Sequence, residues 1–490
     1  MYLGIDLGTS KIAVVLYNEK ENKIIFSSSY AHNALKIKDK FYEIDPEKIK
    51  RICFDIFKNI PYKKEIKGIG ISTQMHGCLI VDKNFNPLTP LITWEDKRTL
   101  LSFKYNKTYI EYIKDICKNI ENTGTTISTG FMGATIFYLK ENNPDLFRKE
   151  NKVCFLGDYI APCLTKEKVK TDITCAGSSG IFDIVKKDWL WDIIEKLKIP
   201  NYIFPEVLET GEILGLINKK IAKELGINEK CKVAVSIGDN QASILGCAGY
   251  LRNKIVLNIG TGSQISENIG NYKEIKYCDT RYFIKNNYIA VGAGLSGGKT
   301  LKILEKFLKE IGEKIFNKKE PSLYKKMHEI AEKNKSNNNI ITGTFFSGSR
   351  IFPEIKGFII NLSEENFKLE NFIFSFYLGV IFELYFYYRN LSENKGEKII
   401  GSGNGFRKNP LFAKISSSIF NLPVSIPLTK EEAATGTCLV IAEKLSGIDI
   451  EEFIRDNTNR DVYYPDKNLK YLQQLYDTYE DTIKNLTKIF

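Results

Sequence analysis

The segment IDLGTSKI at residues 5–12 returns in altered form as LNIGTGSQI at residues 257–265. In both copies a short turn of Gly, Thr and Ser separates two apolar segments, which is the pattern of a β-hairpin. The repetition predicts two related lobes, each opened by its own hairpin.

The residues around the first copy extend this pattern. Strands are predicted at residues 3–7, 12–17 and 23–31, and a helix is predicted to begin at Pro46 with Asp45 as its N-cap. Strand-like and helical segments then alternate, which favours α/β layers. A helix after Asp239 runs into a glycine-containing turn at 246–249, so we predict two domains, 1–247 and 248–490.

Composition excludes several classes of protein. With 490 residues, of which 43% are hydrophobic, the chain can bury a large core. The net charge of +11 comes from lysines interleaved with Glu and Asp rather than from a basic stripe, so no nucleic-acid partner is predicted. The ten cysteines form no CxxC pair, and the amino terminus shows no basic leader, so we expect a reduced, cytoplasmic protein.

One apolar segment, residues 372–388, could suggest a membrane protein. It is short for a span, which needs about 20 residues, and Ser375, Gly379 and Glu383 recur along one face of the predicted helix. We therefore predict a buried core helix and no membrane partner. The polar stretch 333–339 is predicted to be a surface loop.

The first hairpin has residue types suited to phosphate. Glycine removes the Cβ that would block close approach of a polyphosphate, and Asp6 at the end of an apolar strand is costly to bury unless a hydrated Mg²⁺ satisfies it. An ordinary hairpin turn with a solvated Asp6 is the alternative. A second such hairpin at 258–263 favours a nucleotide clamp, with one hairpin from each lobe.

Asp239, in SIGDNQA at residues 236–242, lies where a strand is predicted to end and a helix to begin. It can be an N-cap, or a general base directed at an acceptor hydroxyl, and the two roles are compatible.

These motifs, together with GSGNG at 401–405 and Asn409-Pro410, resemble the FGGY carbohydrate kinases, in the same order and along nearly the whole chain. The resemblance implies two RNase H-like domains of the actin-like ATPase fold, an interdomain cleft, and ATP and Mg²⁺ as cofactors. It also implies that Asp239 is the catalytic base and that Asp6, through water, and Asp239 lie at the metal. The implied ATP-binding residues are Gly8, Thr9, Ser10, Gly260, Thr261, Gly262, Gly298, Gly403, Asn404 and Asn409.

The acceptor side is predicted from QMHG at 74–77 and WEDKR at 94–98. A lone histidine such as His76 is usually a core residue, but its place after a strand in a sugar kinase favours substrate binding. Trp94 offers a flat apolar face and Asp96 an acceptor for hydroxyls. The predicted substrate-binding residues are Gln74, Met75, His76, Trp94, Asp96, Phe131, Asp239 and Asn240.

Within the family, the resemblance is closest to the sedoheptulokinases, through residues 128–137, 157–159, 171–172 and 290–298. It implies phosphorylation of sedoheptulose at its C7 hydroxyl, with the segment 129–135 making room for the longer sugar. Xylulose or another ketose is the alternative acceptor. A chaperone-type or filament-type ATPase of the same fold, without sugar kinase activity, is the alternative from another class, and no particular oligomeric state is predicted.

Overall fold

A computed structural model describes residues 1–118, 120–333, 339–349, 352, 354–391, 396–457 and 461–489. Most of the predicted loop at 333–339 lies outside these residues. In the first half the strands are β1 (Tyr2–Leu7), β2 (Lys11–Asn18), β3 (Lys23–Ala31), β4 (Leu35–Lys38), β5 (Phe41–Ile44), β6 (Gly68–Thr73), β7 (Leu79–Val81), β8 (Leu91–Ile92), β9 (Lys152–Cys154), β10 (Lys170–Asp172), β11 (Phe182–Asp183), β12 (Asp188–Trp189), β13 (Glu206–Leu208), β14 (Ile213–Leu216) and β15 (Lys232–Gly238). Its α-helices are α1 (Pro46–Asn59), α2 (Tyr109–Ile116), α3 (Met132–Asn142), α4 (Leu156–Thr165), α5 (Ile173–Gly177), α6 (Trp191–Lys196), α7 (Lys219–Leu225) and α8 (Asp239–Ala248).

The second half continues the same alternation. Its strands are β16 (Lys254–Ile259), β17 (Ser263–Gly270), β18 (Asp279–Tyr282), β19 (Tyr288–Gly294), β20 (Ile341–Gly343), β21 (Phe358–Ile360), β22 (Lys398–Ser402), β23 (Val424–Ser425) and β24 (Val462–Tyr463). Its α-helices are α9 (Gly298–Phe316), α10 (Tyr324–Glu332), α11 (Leu369–Asn390), α12 (Gly403–Lys408), α13 (Pro410–Phe420), α14 (Glu432–Ser446), α15 (Ile450–Asn457) and α16 (Tyr471–Ile489). The proposed domain boundary at 247/248 falls at the end of α8.

The two central sheets share one strand order. In the first half the order is β3–β2–β1–β6–β15–β14, with β3, β2 and β1 antiparallel and β6 and β15 parallel to β1. In the second half β19, β17 and β16 are antiparallel, and β22 and β23 continue in parallel. This shared pattern confirms the predicted pair of RNase H-like α/β domains.

Local signals account for the first elements. The observed strands β1, β2 and β3 contain the predicted segments, and the Asp45 side chain accepts a hydrogen bond from Lys48 N at the start of α1. Pro46 begins the helix because its missing N–H is not needed there.

The halves are joined by two helices that cross closely. A Cβ on Gly436 of α14 would lie 1.8 Å from Ala242 O of α8, and one on Gly246 of α8 would lie 1.9 Å from Glu432 O. Only glycine permits this approach at either position. Helix α14, from the second half, also covers β1, since a Cβ on Gly4 would lie 1.9 Å from Ala434 O.

The apolar helix α11 is buried in the second half, as predicted, although it is longer than the predicted segment. Its 22 residues are enough by length and composition to cross a membrane, but 78% of the apolar window is buried inside the protein. The predicted polar face packs on β20 and the turn after it: Ser375 Oγ lies 2.7 Å from Thr342 Oγ1, and Glu383 accepts from Thr344 Oγ1. The face with small and polar residues therefore serves internal packing.

Candidate active site

The parallel strands bring the predicted site together at one edge of the first sheet. In the register of β1, β6 and β15, Asp6 is opposite Ser72, and Thr73 is opposite both Leu7 and Gly238. The chain leaves these strands into the first hairpin, the 74–77 loop and Asp239. Residues distant in sequence thus meet because carboxyl ends of parallel strands share an edge.

Asp6 is partly exposed at this edge, and Ser72 Oγ donates to its Oδ1 at 2.5 Å. Burial raises the pKa of Asp6, while the Ser72 hydrogen bond and the nearby Lys11 ammonium oppose the rise. Lys11 itself pairs with Glu431 at 2.6 Å, just before α14.

Asp239 is the first residue of α8, and Gly238 is the N-cap. The N-cap alternative for Asp239 was therefore wrong. Burial raises the pKa of Asp239 to about 7, and the neighbouring Asp6 carboxylate adds to the rise. A hydrogen bond from the Asn240 backbone N–H and the charge of Arg281 oppose it. A carboxyl group with a pKa near neutral pH is suited to general-base work.

The first hairpin touches the predicted acceptor residues directly. Thr9 Oγ1 donates to Gln74 Oε1 at 3.4 Å and accepts from Trp94 Nε1 at 3.2 Å. Gln74 is buried, and its Nε2 has no hydrogen-bond partner among the described residues, so it retains a donor for a ligand. Ser10 is exposed beside Thr9.

Sequence reasoning missed the residue that braces this hairpin. His32 Nδ1 accepts from Ala34 N at 3.0 Å, so Nε2 carries the proton and donates to Gly8 O at 3.2 Å. The His32 backbone N–H also donates to Ser10 O at 3.2 Å. An isolated histidine just after β3 carries no sequence signal for this role.

The acceptor loop places its histidine against an aromatic ring. His76 has a φ of +71°, and its ring stacks on Phe131 with centroids 4.1 Å apart. His76 Nδ1 donates to Ser178 O at 2.8 Å. Met75 is buried against Gly238, beside the strand end that leads to Asp239.

Trp94 and Asp96 lie in different surroundings, and only Asp96 departs from its prediction. Trp94 is 43% exposed, and Asp96 is fully buried. The Asp96 carboxylate accepts from the Arg98 guanidinium and backbone and from Tyr42 N, at 2.8–3.0 Å. We therefore assign Asp96 to holding this loop in place, and the predicted sugar contact by Asp96 is not supported.

A small cavity beside Met75 and His76 of the acceptor loop also takes residues from the second half, which the domain prediction did not anticipate. Asn240 Nδ2 donates to Gln264 Oε1 at 3.0 Å, and Asn240 Oδ1 accepts from the Arg281 guanidinium at 3.2 Å. The missed residues lining this cavity include Thr125, Thr174, Gln241, Thr280, Arg281 and Tyr282. No sequence motif marks residues 280–282. They reach this cavity because β18, a strand of the second half, packs against it.

The second hairpin presents its tip to solvent. Gly260 and Thr261 are exposed, and Gly260 N donates to Gly262 O at 3.0 Å. The start of α9 supports it, since Gly298 N donates to Gly260 O at 2.9 Å. The predicted residues Gly260, Thr261, Gly262 and Gly298 therefore form one contiguous group.

The remaining predicted nucleotide residues lie beside this hairpin. Gly403 has a φ of +82°, and a Cβ there would lie 2.7 Å from Ile259 O, so the position requires glycine. Asn404 is exposed on α12, and Asn409 Nδ2 donates to Gly405 O at 3.2 Å.

The two carboxylates fit a divalent cation. Asp6 and Asp239 lie close enough for one to raise the pKa of the other, and such a like-charge pair is stabilised by a cation. Across the described parts of the chain, no group of three or more His, Cys, Asp or Glu residues forms a metal cage. Mg²⁺ commonly needs only one or two carboxylates together with substrate phosphates.

Family models account for nearly the whole chain. The model of the FGGY family of carbohydrate kinases, N-terminal domain, matches residues 1–246, and that of the C-terminal domain matches residues 256–442. The chain belongs to the FGGY family of carbohydrate kinases. It is therefore a carbohydrate kinase that uses ATP, and the alternative of a chaperone-type or filament-type ATPase is set aside.

Individual relatives differ in their sugar. The chain is 26% identical over 470 residues to a xylulose kinase of Staphylococcus xylosus, with 90% of each chain covered. It is 24% identical over 483 residues to the mouse sedoheptulokinase, covering 90% of this chain and 97% of the relative. The structure of a xylulose kinase from Rhodospirillum rubrum superposes with a TM-score of 0.87 at 17% identity, covering 100% of this chain and 99% of that one, which shows the shared fold.

The predicted room for a longer sugar is not found in the segment 129–135. Thr129 Oγ1 donates to Asp96 O at 2.9 Å, and Ala134 and Thr135 are fully buried at the start of α3. Phe131 is buried and faces the site through its stacking on His76. The segment is thus packed into the first lobe rather than opened toward the cavity.

Proposed function

We propose that this carbohydrate kinase transfers the γ-phosphoryl group of ATP to a terminal hydroxyl of a ketose, in the cytoplasm. The observation that supports the proposal is the convergence of Asp239, the 74–77 loop and the first hairpin at one sheet edge. All ten cysteines are free thiols, which is in keeping with a reducing compartment.

In the proposed reaction Asp239 takes the proton of the acceptor hydroxyl. The hydroxyl oxygen forms a bond to the γ-phosphorus, the bond from that phosphorus to the bridging oxygen breaks, and ADP leaves with the electron pair. Asp6 and Asp239 would hold Mg²⁺, which supplies charge neutralisation when it is bound. The residues of the two hairpins and of 403–409 would position the nucleotide.

Two ketoses are candidates for the acceptor. The sequence motifs favour sedoheptulose, with sedoheptulose 7-phosphate as the product. The packed segment 129–135 removes one argument for the longer sugar, and xylulose is the sugar named for the Staphylococcus xylosus relative. Both ketoses present the same C2 carbonyl end, so the residues that place the far, reactive end of the sugar against Asp239 would discriminate between them.

ADP release measured against xylulose, sedoheptulose, glycerol and gluconate tests the proposal. We expect a ketose to have the highest kcat/KM, and the ratio for the two ketoses decides between them. A His76→Gln variant should raise KM for the ketose, whereas His328→Gln, on the distant helix α10, should not. Preference for glycerol or gluconate would overturn the ketose assignment.

A further inference from the structure

The short helix α5 and its flanking residues lie between the acceptor loop and the catalytic base. Asp172 caps this helix: its Oδ1 accepts from Cys175 N at 2.8 Å, and its Oδ2 accepts from Thr210 Oγ1 at 2.7 Å. Asp172 is fully buried, and Thr174 and Ser178 are nearly so. The cap thus has a defined geometry on both carboxylate oxygens.

One end of this segment holds the strand that carries the base. Thr174 Oγ1 donates to Asp172 at 2.8 Å and accepts from Gly238 N at 2.8 Å. Because the hydroxyl proton is directed at the carboxylate, a lone pair faces the Gly238 amide. Gly238 is the N-cap residue immediately before Asp239, so this bond fixes the peptide from which the base projects.

The other end holds the acceptor histidine. Ser178 Oγ accepts from His76 N at 3.0 Å and donates to Cys175 O at 2.7 Å, while Ser178 O accepts from His76 Nδ1 at 2.8 Å. These contacts hold His76 in a left-handed backbone conformation that a non-glycine residue adopts rarely. One buried, hydrogen-bonded segment therefore contacts both the base-bearing turn and the acceptor loop.

We propose that residues 172–178 form a positioning bracket that sets the placement of Asp239 relative to the acceptor, with Thr174 acting through Gly238 and Ser178 acting through His76. The inference rests on the proposed function, and it adds two positioning residues to it. The two ends should affect different kinetic parameters. Loss of the Thr174 contact displaces the base from a bound acceptor, whereas loss of the Ser178 contact weakens acceptor binding.

The test compares Thr174→Val, which removes both hydrogen bonds at nearly constant volume, with Thr174→Ser, which keeps the hydroxyl. We expect Thr174→Val to lower kcat for the ketose by roughly 10- to 100-fold with KM within about 2-fold, because a misplacement of about 1 Å costs about that much in rate. Thr174→Ser should recover most of the loss. Ser178→Ala should instead raise KM for the ketose by roughly 10-fold.

Ketose-induced protection against thermal unfolding gives a second readout that does not depend on turnover. Thr174→Val should retain this protection, and Ser178→Ala should lose most of it. Thr135→Val is the matched control, because Thr135 is buried and its hydroxyl has no partner in the described structure. Its kcat should stay near that of the wild type.

The possible results distinguish a failure of the bracket from a failure of the proposed function. Suppose that the wild type phosphorylates a ketose. The bracket is then overturned, and the proposed function stands, if Thr174→Val keeps its kcat, if it changes KM alone, or if Thr174→Ser does not recover the lost activity. If the wild type phosphorylates no ketose, the proposed function fails and the bracket fails with it.

Discussion

The two hairpins occupy equivalent places in the two lobes but have different chemistry. Asp6 in the first accepts from Ser72 Oγ at 2.5 Å, and Asn258 in the second donates to Ser402 Oγ at 2.7 Å. In each case the serine lies directly opposite on the neighbouring parallel strand. The pair is thus repeated with one carboxylate replaced by an amide.

The residues that surround the two hairpins also differ. The first is tied to the acceptor side through Thr9 and Trp94, whereas the second is supported by the start of α9 and by Gly403. The two hairpins therefore share a backbone geometry but differ in the residues that they contact. In the proposed arrangement, Asp6, Asp239 and the 74–77 loop belong to the first lobe, whereas the nucleotide residues come from both hairpins and from 403–409.

The largest effect is expected from removing the base beside the first hairpin. Asp239→Asn keeps the shape but cannot accept the proton, so kcat should fall by about 10²-fold or more. ATP binding, measured by calorimetry, should survive, because the predicted nucleotide contacts lie elsewhere. Near-normal turnover in this variant would refute Asp239 as the base.

A smaller effect is expected from making the first hairpin resemble the second. Asp6→Asn removes one of the two carboxylates proposed to hold Mg²⁺, so half-maximal activity should need roughly 10- to 100-fold more Mg²⁺, the range for lost support of a metal. Initial rates across a Mg²⁺ series at fixed ATP measure this shift.

The reciprocal variant Asn258→Asp is the control for Asp6→Asn. It adds a negative charge near the proposed phosphate position and should raise KM for ATP without changing the Mg²⁺ requirement. If Asp6→Asn needs no more Mg²⁺ than the wild type, the carboxylate of the first hairpin does not support the metal as proposed.

Local pattern in the sequence was enough to predict the hairpins, the capped helix α1 and the lobe architecture, since alternating apolar residues and cap residues act over short range. The direction of side chains in loops was not predictable in this way. The Asp96 carboxylate is buried and accepts hydrogen bonds from Arg98 Nε and from the backbone N–H of Tyr42. The second of these bonds depends on the packing of β5, which is distant in sequence. Arg281 reaches the cavity beside His76 only because a strand of the second half packs on the first half.

The smallest effect concerns the interior behind the second hairpin, where Glu383 lies near Gly294 and Thr344. Burial raises the pKa of Glu383 from 4.5 to about 7, and the Thr344 hydrogen bond opposes the rise. The folded protein thus holds this proton more tightly than the unfolded chain. Wild-type stability should fall as pH rises from about 4.5 to 7, and the loss should persist above that range.

Glu383→Gln keeps the shape and an acceptor for Thr344 but cannot ionise. At pH 8 it should be more stable than the wild type by about 1–3 kcal/mol, and near pH 4.5 the difference should shrink, because both proteins are then largely neutral at this position. Urea unfolding at the two pH values measures the difference, with Glu313→Gln on the exposed face of α9 as a control that should show no such dependence. Equal stability of Glu383→Gln and the wild type at pH 8 would mean that the buried carboxyl carries no ionisation cost behind the second hairpin.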